Sequence, residues 1–176
     1  MPHSYHYGKK EAVEFIVKHT TKESKILDVG PGVGTYSELL KPYDYHIDGL
    51  EIYDGYVTAY ELDKKYKNIF IGNIVDWDIS SYDFVILGDV LEHLSIDDSH
   101  NVLDRCKNVL VAVPYLCPQG GVDFHYGEHH LINPYEKHHQ ADLTPMIVME
   151  RYPQLGLVWS NHLYGYYSNI KWSGYY

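Results

Sequence analysis

The chain has 176 residues, of which 45% are hydrophobic and 22% are charged, so it is long enough for one domain with its own core. It holds no apolar run of the roughly 18 residues that a membrane helix needs, and its start lacks the apolar stretch of a secretory signal. Its formal net charge of −10 disfavours nucleic acid as a partner, because such proteins normally present a basic face. We therefore expect a cytoplasmic protein without a membrane or nucleic-acid partner.

Helix and strand patterns alternate along the chain. Apolar spacing predicts helices over 11–19, 35–40, 55–66, 97–107 and 143–152, and short apolar runs predict strands over 25–30, 46–52, 68–74, 82–87, 108–114, 156–162 and 166–172. The segment between the third and fourth strands is too short for a full crossover helix. This alternation is typical of a doubly wound, mostly parallel α/β sheet with helices on both faces, and we expect one such domain over residues 1–176.

A glycine-rich turn follows the first predicted strand. Its glycines, Gly30, Gly32 and Gly34, are spaced G-x-G-x-G, whereas a dinucleotide-binding turn needs G-x-G-x-x-G. Asp28 beside the turn would repel a pyrophosphate and suits a ligand with a positive centre, such as an amino-acid ammonium. Glu51 ends the second strand, where a carboxylate accepts both hydroxyls of a ribose. The pattern predicts a site for a nucleoside with a zwitterionic tail and argues against an NAD-dependent oxidoreductase.

These motifs resemble those of the class I S-adenosylmethionine-dependent methyltransferases. Residues 26–34 are similar to the family's first motif, and residues 82–94 and 109–114 are similar to the motifs of its fourth and fifth strands. The resemblance covers nearly the whole chain. It implies S-adenosyl-L-methionine as the cofactor and a Rossmann-like sheet of seven strands, in which strand seven is inserted antiparallel.

The resemblance also implies a cofactor-binding set at the ends of the first four strands. The set comprises Asp28, Gly30, Gly32 and Gly34 along the methionine part, Glu51 at the ribose, Asn73 and Ile74 at the adenine, and Gly88 at the mouth of the fourth strand. Many members of the family have Asp where this chain has Asn73. The change is mild, because the amide carbonyl of Asn still accepts a hydrogen bond.

Asp89, Glu92 and His93 follow the fourth strand and face the expected reaction zone. On a helical turn they would share one face, where they could supply a general base or bind a divalent ion. The run is also similar to the acid-x-x-Glu-His run of the small-RNA 2′-O-methyltransferases, which implies a metal held with a later histidine. The same pattern is widespread in small-molecule methyltransferases, many of them without a metal, so we expect no metal and name His93, His138 and Asp89 as catalytic candidates.

Residues 116–141 show no sustained period and are rich in histidine: His125, His129, His130, His138 and His139. The family commonly places its acceptor-specificity insert after the fifth strand, so we expect a substrate lid in which His138 or His139 points into the pocket. Histidine pairs nine residues apart, without cysteine, are not a standard zinc spacing. A plain polar loop and a metal-binding loop are the rival interpretations.

The sequence therefore predicts an S-adenosylmethionine-dependent methyltransferase that O- or N-methylates a small-molecule acceptor. Two alternatives stay open. One is a metal-assisted RNA-end 2′-O-methyltransferase, which needs a divalent ion and a local basic groove. The other is a non-catalytic module that binds S-adenosylmethionine without turning it over.

Overall fold

The computed structural model describes residues 6–116 and 133–171. The strands are β1 (Ile26–Val29), β2 (Asp48–Glu51), β3 (Asn68–Ile71), β4 (Phe84–Gly88), β5 (Val109–Pro114), β6 (Gly156–Ser160) and β7 (Tyr164–Ser168). The helices are α1 (Lys9–His19), α2 (Thr35–Leu40), α3 (Asp54–Ala59), α4 (Leu62–Lys65), α5 (Ile96–Arg105) and α6 (Pro145–Arg151). The strand order is β3-β2-β1-β4-β5-β7-β6, with β1 to β5 parallel and β7 antiparallel to both its neighbours. The predicted seven-stranded, doubly wound sheet is confirmed.

The central strands are buried on both faces, which explains their continuous apolar sequences. In β4, Phe84 and Ile86 pack with side chains of α1 and α2, whereas Val85 and Leu87 pack on the opposite face with α5 and α6. All four side chains are at most 1% exposed. Burying each contributes about 1.5–3 kcal/mol relative to leaving it in water. These two cores hold the carboxyl ends of the strands in fixed positions.

Most of the predicted helices and strands differ from the observed ones by one to four residues at one end or both. The helix predicted over 55–66 is two short helices, because Glu61 has a left-handed φ of 51° that interrupts the helical path between α3 and α4. The helix predicted to begin at residue 11 begins at Lys9. The last strand covers Tyr164–Ser168 and not 166–172, because its register pairs Pro114 with Tyr164 and ends opposite the start of β5.

A loop replaces the third crossover helix over residues 72–83, in agreement with the short segment in the sequence. The ring of Trp77 packs on Phe70 of β3 with centroids 5.3 Å apart. Arg105 of α5 donates to the carbonyl oxygens of Ile74 (3.0 Å) and Trp77 (2.8 Å). These contacts cover part of the sheet edge and fix the loop beside the cavity described below. No helix in the described parts of the chain has the length and apolar character that crossing a membrane requires.

Candidate active site

A cavity of about 360 Å³ opens at the carboxyl ends of β1, β2 and β4. The strand order reverses between β1 and β4, and ligands of doubly wound sheets bind at such a point. Five of the residues predicted to bind the cofactor line the wall: Gly30, Gly32, Glu51, Asn73 and Ile74. The structure thus brings together residues that lie up to 44 positions apart in the sequence.

The turn after β1 requires glycine for two reasons. The φ values are 61° at Gly30, 53° at Gly32 and 86° at Gly34, and residues with a Cβ atom rarely adopt such angles. A Cβ atom on Gly30 would also lie 2.9 Å from Cγ2 of Val90. The backbone N–H of Gly30 donates to the carbonyl oxygen of Leu50 (2.9 Å), so the turn is tied to β2. Gly34 lies outside the cavity wall and directly precedes α2, so its observed role is in the turn itself.

Glu51 places a buried carboxylate at the cavity wall. The residue is 2% exposed, and its Oε1 accepts a hydrogen bond from the N–H of Tyr53 (2.9 Å). Burial raises the pKa of Glu51, and hydrogen bonds from nearby backbone N–H groups, including that of Gly32, partly counter the effect. Asn73 lies at the rim, where its Oδ1 accepts from the N–H of Val75 (3.1 Å). One lone pair of the Asn73 carbonyl is therefore already engaged in the local turn.

Asp28 lies beneath the turn and not in the cavity wall. It is 1% exposed and accepts a hydrogen bond from the hydroxyl of Tyr66 (2.5 Å). Burial raises the pKa of Asp28 to about 7, although the Tyr66 hydrogen bond and the charge of Lys9 lower it. The carboxyl group is therefore balanced between its neutral and charged forms near neutral pH.

Lys9 is a buried cation that sequence reasoning missed. The residue is 7% exposed, and its Nζ lies 4.2 Å from the ring centroid of Tyr36 without a hydrogen-bond partner among residues 6–116 and 133–171. Desolvation lowers its pKa, and the charges of Asp89 and Asp28 raise it. Gly88 also packs against Tyr36, since a Cβ there would lie 2.9 Å from Cε2 of the ring. Gly88 is not part of the cavity wall.

Asp89 lines the cavity but is separated from its expected partners. Its φ of 58° turns the chain after β4, and its Oδ1 accepts from the hydroxyl of Tyr164 (2.5 Å). Burial raises the pKa of Asp89. The Leu91–His93 segment is a single 3₁₀ turn. The expected grouping of Asp89 with Glu92 and His93 on one helical face is therefore wrong. Asp89 precedes the 3₁₀ turn and accepts its hydrogen bond from Tyr164 of β7.

His138, from the predicted lid, joins Glu92 and His93 instead. One possible ligand atom of each side chain lies within 4.8 Å of the other two. The rings of His93 and His138 meet edge to face with centroids 4.6 Å apart. Burial, and then the charge of His138, lowers the pKa of His93 to about 4, so its ring is neutral at neutral pH. Burial raises the pKa of Glu92, and the charge of Asp89 adds to the effect.

The segment 133–140 is pinned to the 3₁₀ turn by Gln140, which sequence reasoning also missed. The backbone N–H groups of His139 and Gln140 both donate to the carbonyl oxygen of Glu92 (2.7 and 3.1 Å). The Gln140 side chain, 3% exposed, donates to the carbonyl oxygen of Leu91 (2.9 Å) and accepts from the hydroxyl of Tyr152 (2.7 Å). A polar residue in a loop gives no sequence signal for such burial.

The rest of the predicted lid is described only in part. Tyr56 of α3 donates to Oε1 of Glu136 (2.8 Å), and both residues line the cavity together with His139. This bond links the segment 133–140 to the β2 side of the cavity. His125, His129 and His130 lie outside the described residues.

The fold is similar to solved structures with very different sequences. A Pyrococcus horikoshii OT3 protein is 14% identical, with a TM-score of 0.64 over 95% of this chain and 92% of its own. The magnesium protoporphyrin IX methyltransferase of Synechocystis PCC 6803, solved with bound S-adenosylmethionine, is 13% identical, with a TM-score of 0.60 over 90% of this chain and 76% of its own. A SAM dependent methyltransferase from Archaeoglobus fulgidus is 18% identical, with a TM-score of 0.50 over 61% of this chain. The chain spans 52% of the length of that protein.

The sequence comparison finds one similar family. The methyltransferase domain family matches residues 27–113, which extend from β1 to β5 and include the glycine turn, Glu51 and the turn after β4. No curated protein sequence matches the chain significantly. Residues 27–113 are similar to the methyltransferase domain family, and the fold is that of solved S-adenosylmethionine-dependent methyltransferases.

Proposed function

We propose that this enzyme methylates a hydroxyl or amine of a small molecule that carries no phosphate chain. The charge of the cavity wall carries this proposal. The lining contains the carboxylates of Glu51, Asp89, Asp98 and Glu136, against a single lysine, Lys137, among the described residues. Such a wall attracts cationic groups, accepts neutral ones and repels polyanions. The volume of the cavity is at the lower end of the range for ligand sites, which favours a small acceptor beside a nucleoside.

The residues present fit the cofactor. The buried Glu51 carboxylate suits ribose hydroxyls, the glycine turn permits close approach to the backbone, and the carboxylates suit the ammonium and sulfonium charges. Asn73 and Ile74 would contact the adenine. When bound there, S-adenosylmethionine would supply the methyl group, and its sulfur would keep the electron pair of the broken carbon–sulfur bond as a lone pair of the acceptor formed the new bond.

His93 is the side chain best suited to receive the acceptor's proton. Its Nδ1 lies 3.3 Å from the carbonyl oxygen of Lys137, and donation there leaves a lone pair on Nε2. His93 also lines the cavity, whereas His138 is 8% exposed and is absent from the wall. Asp89 already accepts a hydrogen bond from Tyr164. Apart from this proton transfer, catalysis would consist mainly of holding the cofactor and the acceptor in line.

Methylation of an RNA end is the second candidate, because Glu92, His93 and His138 meet as metal ligands would. An RNA end also needs a basic surface for its phosphates, and the acidic wall argues against it. A chelator-sensitive activity on RNA ends and none on small molecules would favour this alternative.

The first test is calorimetric titration of chelator-treated protein with S-adenosylhomocysteine, with NAD in parallel. We expect saturable binding of the first ligand only. Transfer of radiolabelled methyl from S-adenosylmethionine to a panel of hydroxyl- and amine-bearing small molecules then tests the acceptor class. Tight cofactor binding with no transfer to any member of a broad panel would support a non-catalytic binding module instead.

A further inference from the structure

We propose that Glu92, His93 and His138 form a binding site for one divalent transition-metal ion. Glu92 and His93 lie on the 3₁₀ turn after β4, and His138 lies on the segment pinned to that turn. Their ligand atoms all lie within 4.8 Å of one another. Donors bound at about 2.1 Å to one ion are roughly 3–4 Å apart, so small side-chain rotations close the site. The sequence left a metal-assisted enzyme as an alternative, and the structure shows that His138 is a histidine that meets Glu92 and His93.

His93 is held as a metal ligand needs to be. The Nδ1 atom of His93 lies 3.3 Å from the carbonyl oxygen of Lys137. Histidines that bind metals usually donate their other ring N–H to a carbonyl or carboxylate oxygen, which fixes the tautomer and leaves the lone pair toward the ion. The backbone hydrogen bonds of His139 and Gln140 to the Glu92 carbonyl oxygen tie the two parts of the site together. The site is therefore preorganised by the fold.

Glu92 provides an independent observation. The residue is 2% exposed, and its Oε2 atom is buried without a hydrogen-bond partner in the parts of the chain that the structure describes. Burying a carboxylate oxygen is costly unless a donor or a cation compensates it, and buried polar atoms are normally satisfied. An ion between Glu92 and the two imidazoles would supply that missing partner.

The donor set selects the type of ion. Two imidazole nitrogens and one carboxylate oxygen suit Zn²⁺, Co²⁺, Fe²⁺ or Mn²⁺, whereas Mg²⁺ and Ca²⁺ prefer oxygen ligands alone. Three protein ligands leave coordination positions open. His93 lines the cavity, so an acceptor hydroxyl bound there could complete the coordination shell. The ion would then occupy the lone pair of His93, so His93 would not act as the base, and the ion would lower the pKa of the acceptor hydroxyl instead. This last step rests on the proposed function, whereas metal binding does not.

The experiment is a titration of chelator-treated protein with Co²⁺, followed by visible absorption, with Mg²⁺ in parallel. Glu92→Gln and His138→Ala remove ligands. His139→Ala is the matched control, because it deletes the neighbouring exposed imidazole and keeps the backbone hydrogen bond to Glu92. We expect one Co²⁺ per chain, affinity weakened at least about 100-fold in each ligand variant and within about threefold of the unaltered protein in the control. Mg²⁺ should not saturate the site in the same concentration range.

Two outcomes would overturn the proposal. One is the absence of saturable Co²⁺ binding by the unaltered protein. The other is Co²⁺ binding that survives both ligand substitutions, which would assign the ion to other groups such as the histidines of residues 125–130. Circular dichroism of each variant shows whether it is folded, and if Glu92→Gln is not, His138→Ala decides. S-adenosylhomocysteine binding is measured separately, so its failure with intact Co²⁺ binding would count against the proposed function alone.

Discussion

Replacing Glu51 should weaken cofactor binding more than any other single change at the β2 end. In the proposed complex its carboxylate accepts two ribose hydroxyls, and each hydrogen bond to a charged group contributes about 1.5–3 kcal/mol. Losing both in Glu51→Ala costs about 3–6 kcal/mol, which weakens binding roughly 10²- to 10⁴-fold. Glu51→Gln keeps an acceptor for the N–H of Tyr53 but loses the charge. Its bonds are neutral ones of about 1 kcal/mol each, so we expect a smaller loss, about 10- to 100-fold.

The assay is calorimetric titration with S-adenosylhomocysteine. Glu23→Gln is the control, because Glu23 is exposed and lies before β1, outside the cavity wall. Thermal unfolding of each variant without ligand separates a loss of affinity from a loss of folded protein. A folded Glu51→Ala variant that binds within about threefold of the unaltered protein would refute the ribose assignment.

Three further changes test the electrostatics, the turn and the lid. Because the folded pKa of Asp28 is about 7 against an ordinary 3.8, its ionisation should lower the free energy of unfolding as pH rises between those values. The difference in free energy of unfolding between Asp28→Asn and the unaltered protein, measured by urea unfolding, should therefore shift by a few kcal/mol in favour of the variant from about pH 5 to about pH 8. The same difference at both pH values would contradict the assigned pKa. Gly30→Ala combines a φ of 61° with a 2.9 Å approach to Val90, and we expect a loss of about 2–4 kcal/mol by the same method. Loss below about 0.5 kcal/mol would show that the turn relaxes freely. Tyr56→Phe and Glu136→Ala should show a coupling free energy of about 1 kcal/mol in a double-mutant cycle, and additive effects would mean that their 2.8 Å hydrogen bond contributes nothing.

The sheet was predictable because its strands have a strong apolar pattern. Residues 84–88 and 109–114 are buried on both faces, so nearly every position in them selects an apolar side chain. The break at Glu61 was not predictable, because a left-handed glutamate has no distinctive sequence signal. The shifted β7 was missed for a different reason. Its ends are set by pairing with β5, and not by the residues of β7.

The candidate site also has residues that the sequence predicts and residues that it does not. Gly30 directly follows β1 and Glu51 ends β2, so the fold alone brings them to one edge of the sheet, where both line the cavity. Lys9 could not be found from its neighbours in the sequence, because the charges that surround it, Asp28 and Asp89, belong to β1 and the turn after β4.

The cluster of Glu92, His93 and His138 shows why a motif predicts chemistry less well than it predicts position. The order Asp-x-x-Glu-His suggests that the first acid joins the other two residues, yet Asp89 bonds to Tyr164 of β7. The third member comes from a segment whose position depends on the burial of Gln140. Whether this turn binds an ion or moves a proton therefore depends on a contact between residues about 45 positions apart in the chain, which no local pattern encodes. All three residues are among those that the structure describes, and the Co²⁺ titration tests whether they bind one ion together.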